Sequence, residues 1–509
     1  MLIPVIDVMQ SGSVSSEGPG QPVEATSPVF TRLGLAGPLW LQLEDGAAPS
    51  AEAAASLGSL LGAARGCWVG ALPADGGKPA VDAAVKWLDS GARKVVFELA
   101  VGAELEAAAV EALSTLPRER VVLLLRLGED ATAAAADGVV ASIAGAAGVA
   151  STVALVVPAA EESVFAAAAG GGGGAAAAAG DGDLPTAFGA ALAALECAVK
   201  AAKVSLVLLA NGGPAQARLS AADVGTLSRR KGSGGPVHVA APAKITDTGE
   251  GDDLGVASAA AADAATAAVA PGGWAALELS ASVTACLRSD RIDGLFSTVV
   301  TDEHGVALGL VYSSAASIAA SLADSSNKAI YYSRSRKGLW RKGDTSGSYQ
   351  LCRAIDWDCD ADALRFMVVQ CGSPPAFCHL GPRDCWGYMA HCGAEAPGVG
   401  AGMVGLPGLE QTLLHRKAHA VEGSYTRRLF NDPALLRKKL LEEAQELIEA
   451  ETPDHIAAEC ADVLYFAMTR VVAGGASLDM VEKHLDHRAL KVTRRPGNAK
   501  AFGHKHFTE

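Results

Sequence analysis

The sequence predicts a multidomain protein with three architectures in series. An N-terminal α/β domain, a degenerate (β/α)8 barrel, is expected over residues 1–245. A linker and helix follow at 246–285, then a small β-rich α+β domain at 286–396 and an all-α helical bundle at 397–495. Three observations predict this order. Eight short apolar, β-branched runs alternate with Ala-rich stretches of helical spacing. Further on, GLFSTVVTDEHGVALGLVYSS sets two strand patterns around a turn at Glu303–Gly305. After PGVGAGMVGLPG the periodicity is helical throughout.

The strand candidates of the first half are Leu2–Val8, Leu39–Leu43, Cys67–Leu72, Lys94–Leu99, Val121–Leu127, Val153–Val157, Val204–Leu209 and Pro236–Ala240. Helix candidates between them include Ala51–Arg65, Lys78–Leu88, Glu104–Leu116 and Phe188–Lys203. Their alternation fits a parallel barrel, with an open doubly wound sheet as the alternative. The run AAAAGGGGGAAAAAGDGDLP, Ala166–Pro185, has no side chains from which to build a core and reads as a flexible insertion. It is not a phosphate cradle, because its glycines neither follow a strand directly nor carry a Lys. From Thr246 to Ala276 an Ala, Asp and Gly composition suits a linker. The last part offers helices at Leu409–Ala418, Leu435–Glu451, His455–Ala473 and Leu478–Leu490.

Composition narrows the partners. With 509 residues the chain exceeds a single core, and with half of them hydrophobic it can fill several. A net charge of -14 repels polyanions, so no nucleic-acid partner is expected, although a local basic cluster can still hold a small phosphorylated ligand. The uncharged stretch Gly138–Ala160 divides into a helix and a strand, so no membrane span is expected. Six of the ten cysteines (Cys352, Cys359, Cys371, Cys378, Cys385, Cys392) crowd together, a pattern that favours metal and a reduced compartment.

In IDWDCDADALRF, an extended chain would send Asp358, Asp360 and Asp362 to one face and Cys359 to the other. Three carboxylates on one face repel unless a cation joins them, and oxygen-only ligation suits Mg2+. On the other face Cys359 can join Cys378 and Cys385, whose loop CHLGPRDC contains Gly and Pro for folding back. Three thiolates leave one zinc position open, as catalysis requires. A solvated acidic turn and incidental buried cysteines would each explain one half, but not their coincidence beside His379. Upstream, YYSRSRKGLWRKGDTSGSYQ sets Arg334, Arg336, Lys337, Arg341 and Lys342 in a basic patch, and Thr345 and Ser346 among Gly amides suited to phosphate.

These blocks resemble the signatures of the phosphoribosyl-AMP cyclohydrolase family. The resemblance covers about Gly294–Gly387. It implies that Asp358, Asp360 and Asp362 bind Mg2+, that Cys359, Cys378 and Cys385 bind a catalytic Zn2+, and that the protein is a homodimer with zinc ligands from both subunits. Water activated there would open the adenine ring of phosphoribosyl-AMP at C6, with His379 as proton shuttle or positioning group.

In LRKKLLEEAQELIEAETPDHIAAECADVLYFAM, Glu442, Glu443 and Glu446 share one flank of a helix, and Glu459 and Asp462 form a second pair. Carboxylates drawn into a bundle interior are costly without a countercharge, which Mg2+ supplies. Together with GSYTRRLF, the pattern resembles phosphoribosyl-ATP pyrophosphohydrolase. That implies Mg2+ on Glu442, Glu443, Glu446, Glu459 and Asp462, catalytic roles for Glu443 and Glu446, and phosphate contacts from Arg427, Arg428 and Lys439. The two activities are consecutive steps of histidine biosynthesis.

The order of the pieces resembles the fungal multifunctional histidine-biosynthesis family, without the histidinol dehydrogenase that follows there. MLIPVIDV and LLANGGPAQARL resemble the phosphoribosylformimino-AICAR-phosphate isomerase barrel, implying that Asp7 occupies an acid-base position; LLLRLGED departs from it, so that barrel is expected to be inactive. The expected location is the cytoplasm, or a plastid if a leader has been removed. Rival readings are a nucleotide-cleansing pyrophosphohydrolase with a structural zinc module, and a non-catalytic nucleotide-binding scaffold.

Overall fold

The computed structural model describes residues 2–8, 14–15, 32–43, 66–74, 77–100, 107–126, 141–145, 148–157, 197–210, 224–225, 228, 238–244, 277–373, 375–386 and 405–493. Its first half holds β1 (Leu2–Val8), β2 (Val14–Ser15), β3 (Leu39–Leu43), β4 (Cys67–Pro73), α1 (Gly77–Asp89), β5 (Lys94–Ala100) and α2 (Ala107–Leu113). β6 (Val121–Arg126), β7 (Thr152–Val157), β8 (Ser205–Ala210), β9 (His238–Lys244), β10 (Leu277–Glu278) and α3 (Leu279–Cys286) follow. Each expected strand is present, shifted by at most a few residues.

Parallel pairing runs from β1 through β3, β4, β5, β6, β7 and β8 to β9. β9 then pairs back onto β1, with Leu2 opposite Val239, a closure that an open sheet lacks. Alternate strand residues enter different cores, as a two-residue period requires. Ile3, Trp40, Trp68, Val96, Val122, Leu124, Ala154 and Val156 form one cluster. Leu39, Leu41, Val95, Phe97, Leu123, Leu125, Val153 and Leu155 join the other. Burial on both faces explains why these strands read as continuous apolar runs. Asp7 lies in β1 opposite Gln42. The expected helix at 51–65, the insertion at 166–185, the loop after 210 and the linker at 246–276 lie outside the described residues.

The middle part is a six-stranded sheet in the order β14-β13-β12-β11-β16-β15. Its strands are β11 (Phe296–Thr301), β12 (Ala307–Ser313), β13 (Ile330–Ser333), β14 (Gly338–Arg341), β15 (Gln350–Trp357) and β16 (Ala363–Gln370). β11 and β12 form the expected hairpin, and β16 runs parallel to β11. Helix α4 (Ala315–Ala323) starts in a capping box between Ser314 and Ser317 and buries Ile318 and Leu322.

The last part is helical: α5 (Gly405–His419), α6 (Tyr425–Asn431), α7 (Pro433–Glu449), α8 (Pro453–Ala473) and α9 (Leu478–Leu490). Asp432 and Thr452 cap α7 and α8, each followed by Pro at the first turn, where its missing N–H costs nothing. Among the described residues no helix is long and apolar enough to cross a membrane.

The three parts touch at specific points. Arg32 donates to the Ala323 carbonyl (2.8 Å), and the Ile355 amide donates to the Leu35 carbonyl (2.7 Å). His304 Nδ1 lies 3.0 Å from Glu482 on α9. Beyond α9, Asp89 accepts from the Val492 and Thr493 amides at 2.9 and 3.2 Å.

Candidate active sites

Asp358, Asp360 and Asp362 offer oxygens within 4.8 Å of one another. They do not, however, line one face of a strand. β15 ends at Trp357 and β16 begins at Ala363, so the run 358–362 is the hairpin turn between them. Asp358 closes that turn by accepting from the Asp362 and Ala363 amides at 3.1 and 3.2 Å, and Ala361 takes φ 65°. A short acidic side chain that bonds its own backbone favours a turn over continued strand. Convergence is therefore made by the turn. Burial and the charges of Asp360 and Asp358 raise the Asp362 pKa, so a hard cation fits this oxygen set.

The cysteine loop folds back through Cys378 N–H to Pro382 O (3.1 Å) and Gly381 N–H to Cys378 O (3.1 Å). It brings Cys385 near Cys378. Burial, then the neighbouring Cys378, pushes the Cys385 thiol up to about 11. A thiol whose ionisation is opposed by burial and by a neighbouring sulfur suits a metal that takes it as a thiolate. Cys359 is exposed at the hairpin turn. Among the described residues, Cys359, Cys378 and Cys385 do not form a three-ligand cluster within one chain. His379 is exposed beside Cys378.

Behind the loop, Lys342 is 5% exposed and donates to the carbonyls of Ser348 (3.3 Å) and Ala376 (3.2 Å). It thus differs from the other members of the basic patch, since Arg334, Arg336, Thr345 and Ser346 are all exposed. The Arg334 guanidinium stacks 4.0 Å from the Tyr312 ring centre, which fixes its direction. Gly343 (φ 101°) lets the turn carrying Thr345 and Ser346 pass close to Tyr349, where a Cβ would lie 2.6 Å from the Tyr349 backbone.

In the helical part, Glu443, Glu446 and Glu459 converge within 4.8 Å. α7 supplies the first two and α8 the third. Burial and then Glu443, Glu459 and Glu442 raise the Glu446 pKa. Glu459 Oε1 stands 3.2 Å from His455 Nε2, while its buried Oε2 has no hydrogen-bond partner. An orphaned buried carboxylate oxygen beside two more carboxylates is what a cation site needs. Glu442 and Asp462 stand outside the cluster. Glu442 instead pairs with Lys439 at 2.8 Å, and Asp462 is exposed. Lys439 also reaches Glu443 at 3.3 Å, so its ammonium faces carboxylates within its own helix. Arg427 and Arg428 are exposed on α6, whose first turn is capped by Ser424.

Sequence reasoning missed Asp302 and Arg383. Asp302 is fully buried, accepts from the His304 and Val306 amides (3.0 and 2.8 Å) and binds Arg383 at 2.7 Å. The pair ties the cysteine loop to the β11–β12 turn. The available signal was an Asp entering a turn beside an Arg between two cysteines, but nothing in the sequence joins them across 81 positions.

Comparison with known proteins agrees with this division. The family profile described as phosphoribosyl-AMP cyclohydrolase matches residues 309–387. The profile described as phosphoribosyl-ATP pyrophosphohydrolase matches residues 406–489. A histidine biosynthesis trifunctional protein of Kluyveromyces lactis is 49% identical over 219 residues, 43% of this chain and 26% of that protein. A histidine biosynthesis bifunctional protein of Schizosaccharomyces pombe is 48% identical over 224 residues, 44% of this chain and 49% of that protein. The chain thus spans between about a quarter and a half of these curated relatives. A bifunctional protein of Oceanobacillus iheyensis is 33% identical over 203 residues, 39% of this chain and 90% of that protein. With two adjoining profiles and a relative matched over nearly its whole length, the chain belongs to the family of histidine biosynthesis bifunctional proteins that join a phosphoribosyl-AMP cyclohydrolase to a phosphoribosyl-ATP pyrophosphohydrolase.

Proposed function

We propose that the chain catalyses two consecutive hydrolyses. The helical part converts phosphoribosyl-ATP to phosphoribosyl-AMP and pyrophosphate, and the middle part opens the purine ring of phosphoribosyl-AMP. The observation that carries this reading is the presence of both donor sets, oxygen and sulfur, in the two matched regions.

In the first reaction, Glu443, Glu446 and Glu459 hold Mg2+, which would neutralise the triphosphate and activate water. Water adds to phosphorus, the bond to the bridging oxygen breaks, and pyrophosphate leaves. Glu443 or Glu446 accepts the proton, and the exposed Arg427 and Arg428 hold phosphate oxygens. In the second reaction, Cys378 and Cys385 bind Zn2+, which would polarise water near neutral pH. Water adds at C6, the N1–C6 bond breaks, and C6 becomes the carboxamide carbon. His379 carries the proton toward N1. Asp358, Asp360 and Asp362 hold Mg2+, while Arg334, Arg336, Thr345 and Ser346 take the phosphoribosyl phosphate.

We place the third sulfur, Cys359, in a second copy of the chain, making the protein a homodimer with shared zinc ligands. Support comes from the exposure of both Cys359 and Cys385, which leaves each able to meet a second copy. The free thiols suit a reduced compartment such as the cytoplasm. A Cys385→Ser variant tests the assignment. Ring opening should be lost while pyrophosphate release continues, and loss of both would contradict two separate sites.

A further inference from the structure

Lys342 presents a physical problem of its own. Its ammonium is nearly sealed from solvent, and its polar contacts are two neutral carbonyls, those of Ser348 and Ala376. Two aromatic rings complete its surroundings, Phe377 at 5.8 Å and Trp340 at 6.0 Å from the ring centres. Among the described residues no carboxylate lies within ion-pair distance of it. A buried charge without an opposite partner is strongly unfavourable. Ala376 and Phe377, which it touches, lead straight into Cys378.

We propose that Lys342 is the fixed countercharge of the cysteine metal centre, and that it positions and stabilises the thiolates instead of binding substrate phosphate. A divalent ion held by three thiolates carries one net negative charge, and one buried ammonium offsets it. The carbonyls of Ser348 and Ala376 aim the ammonium at the cysteine loop and keep it from reaching the surface, where Arg334 and Arg336 stand. This inference rests on the zinc assignment proposed above and deepens it: the same basic patch serves two ends, its exposed members facing ligand and its buried member facing metal.

The test uses the full chain, stripped of metal by chelation, with Lys342→Met and Lys342→Arg variants. Zinc affinity is read by competition with a chromophoric chelator, and the thiolate-to-metal charge-transfer bands are read after Co2+ loading. KM for phosphoribosyl-AMP is read on the zinc-saturated proteins. Pyrophosphate release from phosphoribosyl-ATP reports whether each variant is folded. The Met variant should lose about 10–100-fold in zinc affinity, the range typical of groups that support metal ligands, with shifted Co2+ bands and an unchanged KM. The Arg variant, which keeps the charge, should retain most of the affinity. Unchanged zinc affinity, with or without a raised KM, would overturn the proposal, and equal losses in both variants would show that charge is not the cause. Should the wild-type chain itself bind no zinc through these cysteines, the assignment of the centre falls first, a result separable from failure of the Lys342 variants alone.

Discussion

At the scale of single residues, the carboxylate cluster of α7 and α8 makes the sharpest demand. Glu459 Oε2 is buried without a partner, and Glu446 is raised by burial and by its neighbours. A Glu459→Gln substitution should reduce pyrophosphate release by more than about 100-fold, since losing a ligand costs at least as much as losing its supporting group. It should also diminish the rise in melting temperature that Mg2+ gives the wild type by binding only the folded state, leaving the part contributed by Asp358, Asp360 and Asp362; an undiminished Mg2+ effect would show that no ion sits on the α7–α8 carboxylates. Much of this was legible in sequence. The i, i+3 pair Glu443 and Glu446 and the distant Glu459 follow from helical spacing. What spacing cannot fix is rotamer and competition, which is why Glu442 turns to Lys439 and Asp462 to solvent. Lys342 was equally illegible as a buried group. Basic residues clustered in sequence read alike, and only the contacts with the Ser348 and Ala376 carbonyls separate the buried member from the exposed ones.

At the scale of elements, the first-half strands were legible because they are short apolar runs, several of them buried on both faces, and the long helices because periodicity persists over several turns. The seven-residue α6 was not, being too short to show a period; its Ser424 cap was its clearest mark. The aspartate turn was read as strand because alternation survives locally, while the backbone bonds of Asp358 that end the strand leave no periodic trace. One strand position reports on the cysteine loop. A Cβ on Gly309 in β12 would lie 2.2 Å from the Phe377 ring, immediately before Cys378. Gly309→Ala should therefore displace the loop, lower stability by about 1–3 kcal/mol as overpacking does, and weaken zinc binding. Pyrophosphate release should be unaffected, and a normal zinc affinity would argue that Phe377 moves without carrying the loop.

At the scale of the whole molecule, the first half is tied to the end of α9 by Asp89, which accepts from Val492 and Thr493. Burial alone would raise the Asp89 pKa, but hydrogen bonds from Thr493 and Val492 and the charge of Lys491 outweigh it, so the folded value is lowered. Its stabilisation is thus present above the unfolded carboxylate pKa, about 3.9, and lost as pH falls through the lower folded value. The melting temperature of Asp89→Asn should accordingly fall below wild type at neutral pH, and the gap should close in acid; a gap that persists in acid would assign the effect to packing. This joint gives the first half a contact with the helical part that no sequence pattern announced, because it depends on three isolated residues at the end of a helix. The most direct measurement for the whole account is a coupled assay. Phosphoribosyl-ATP is supplied to the full chain with Mg2+ and Zn2+, and both pyrophosphate and the ring-opened nucleotide are followed. The account predicts that both form, the second after the first. Pyrophosphate accompanied only by accumulating phosphoribosyl-AMP, or neither product, would contradict it.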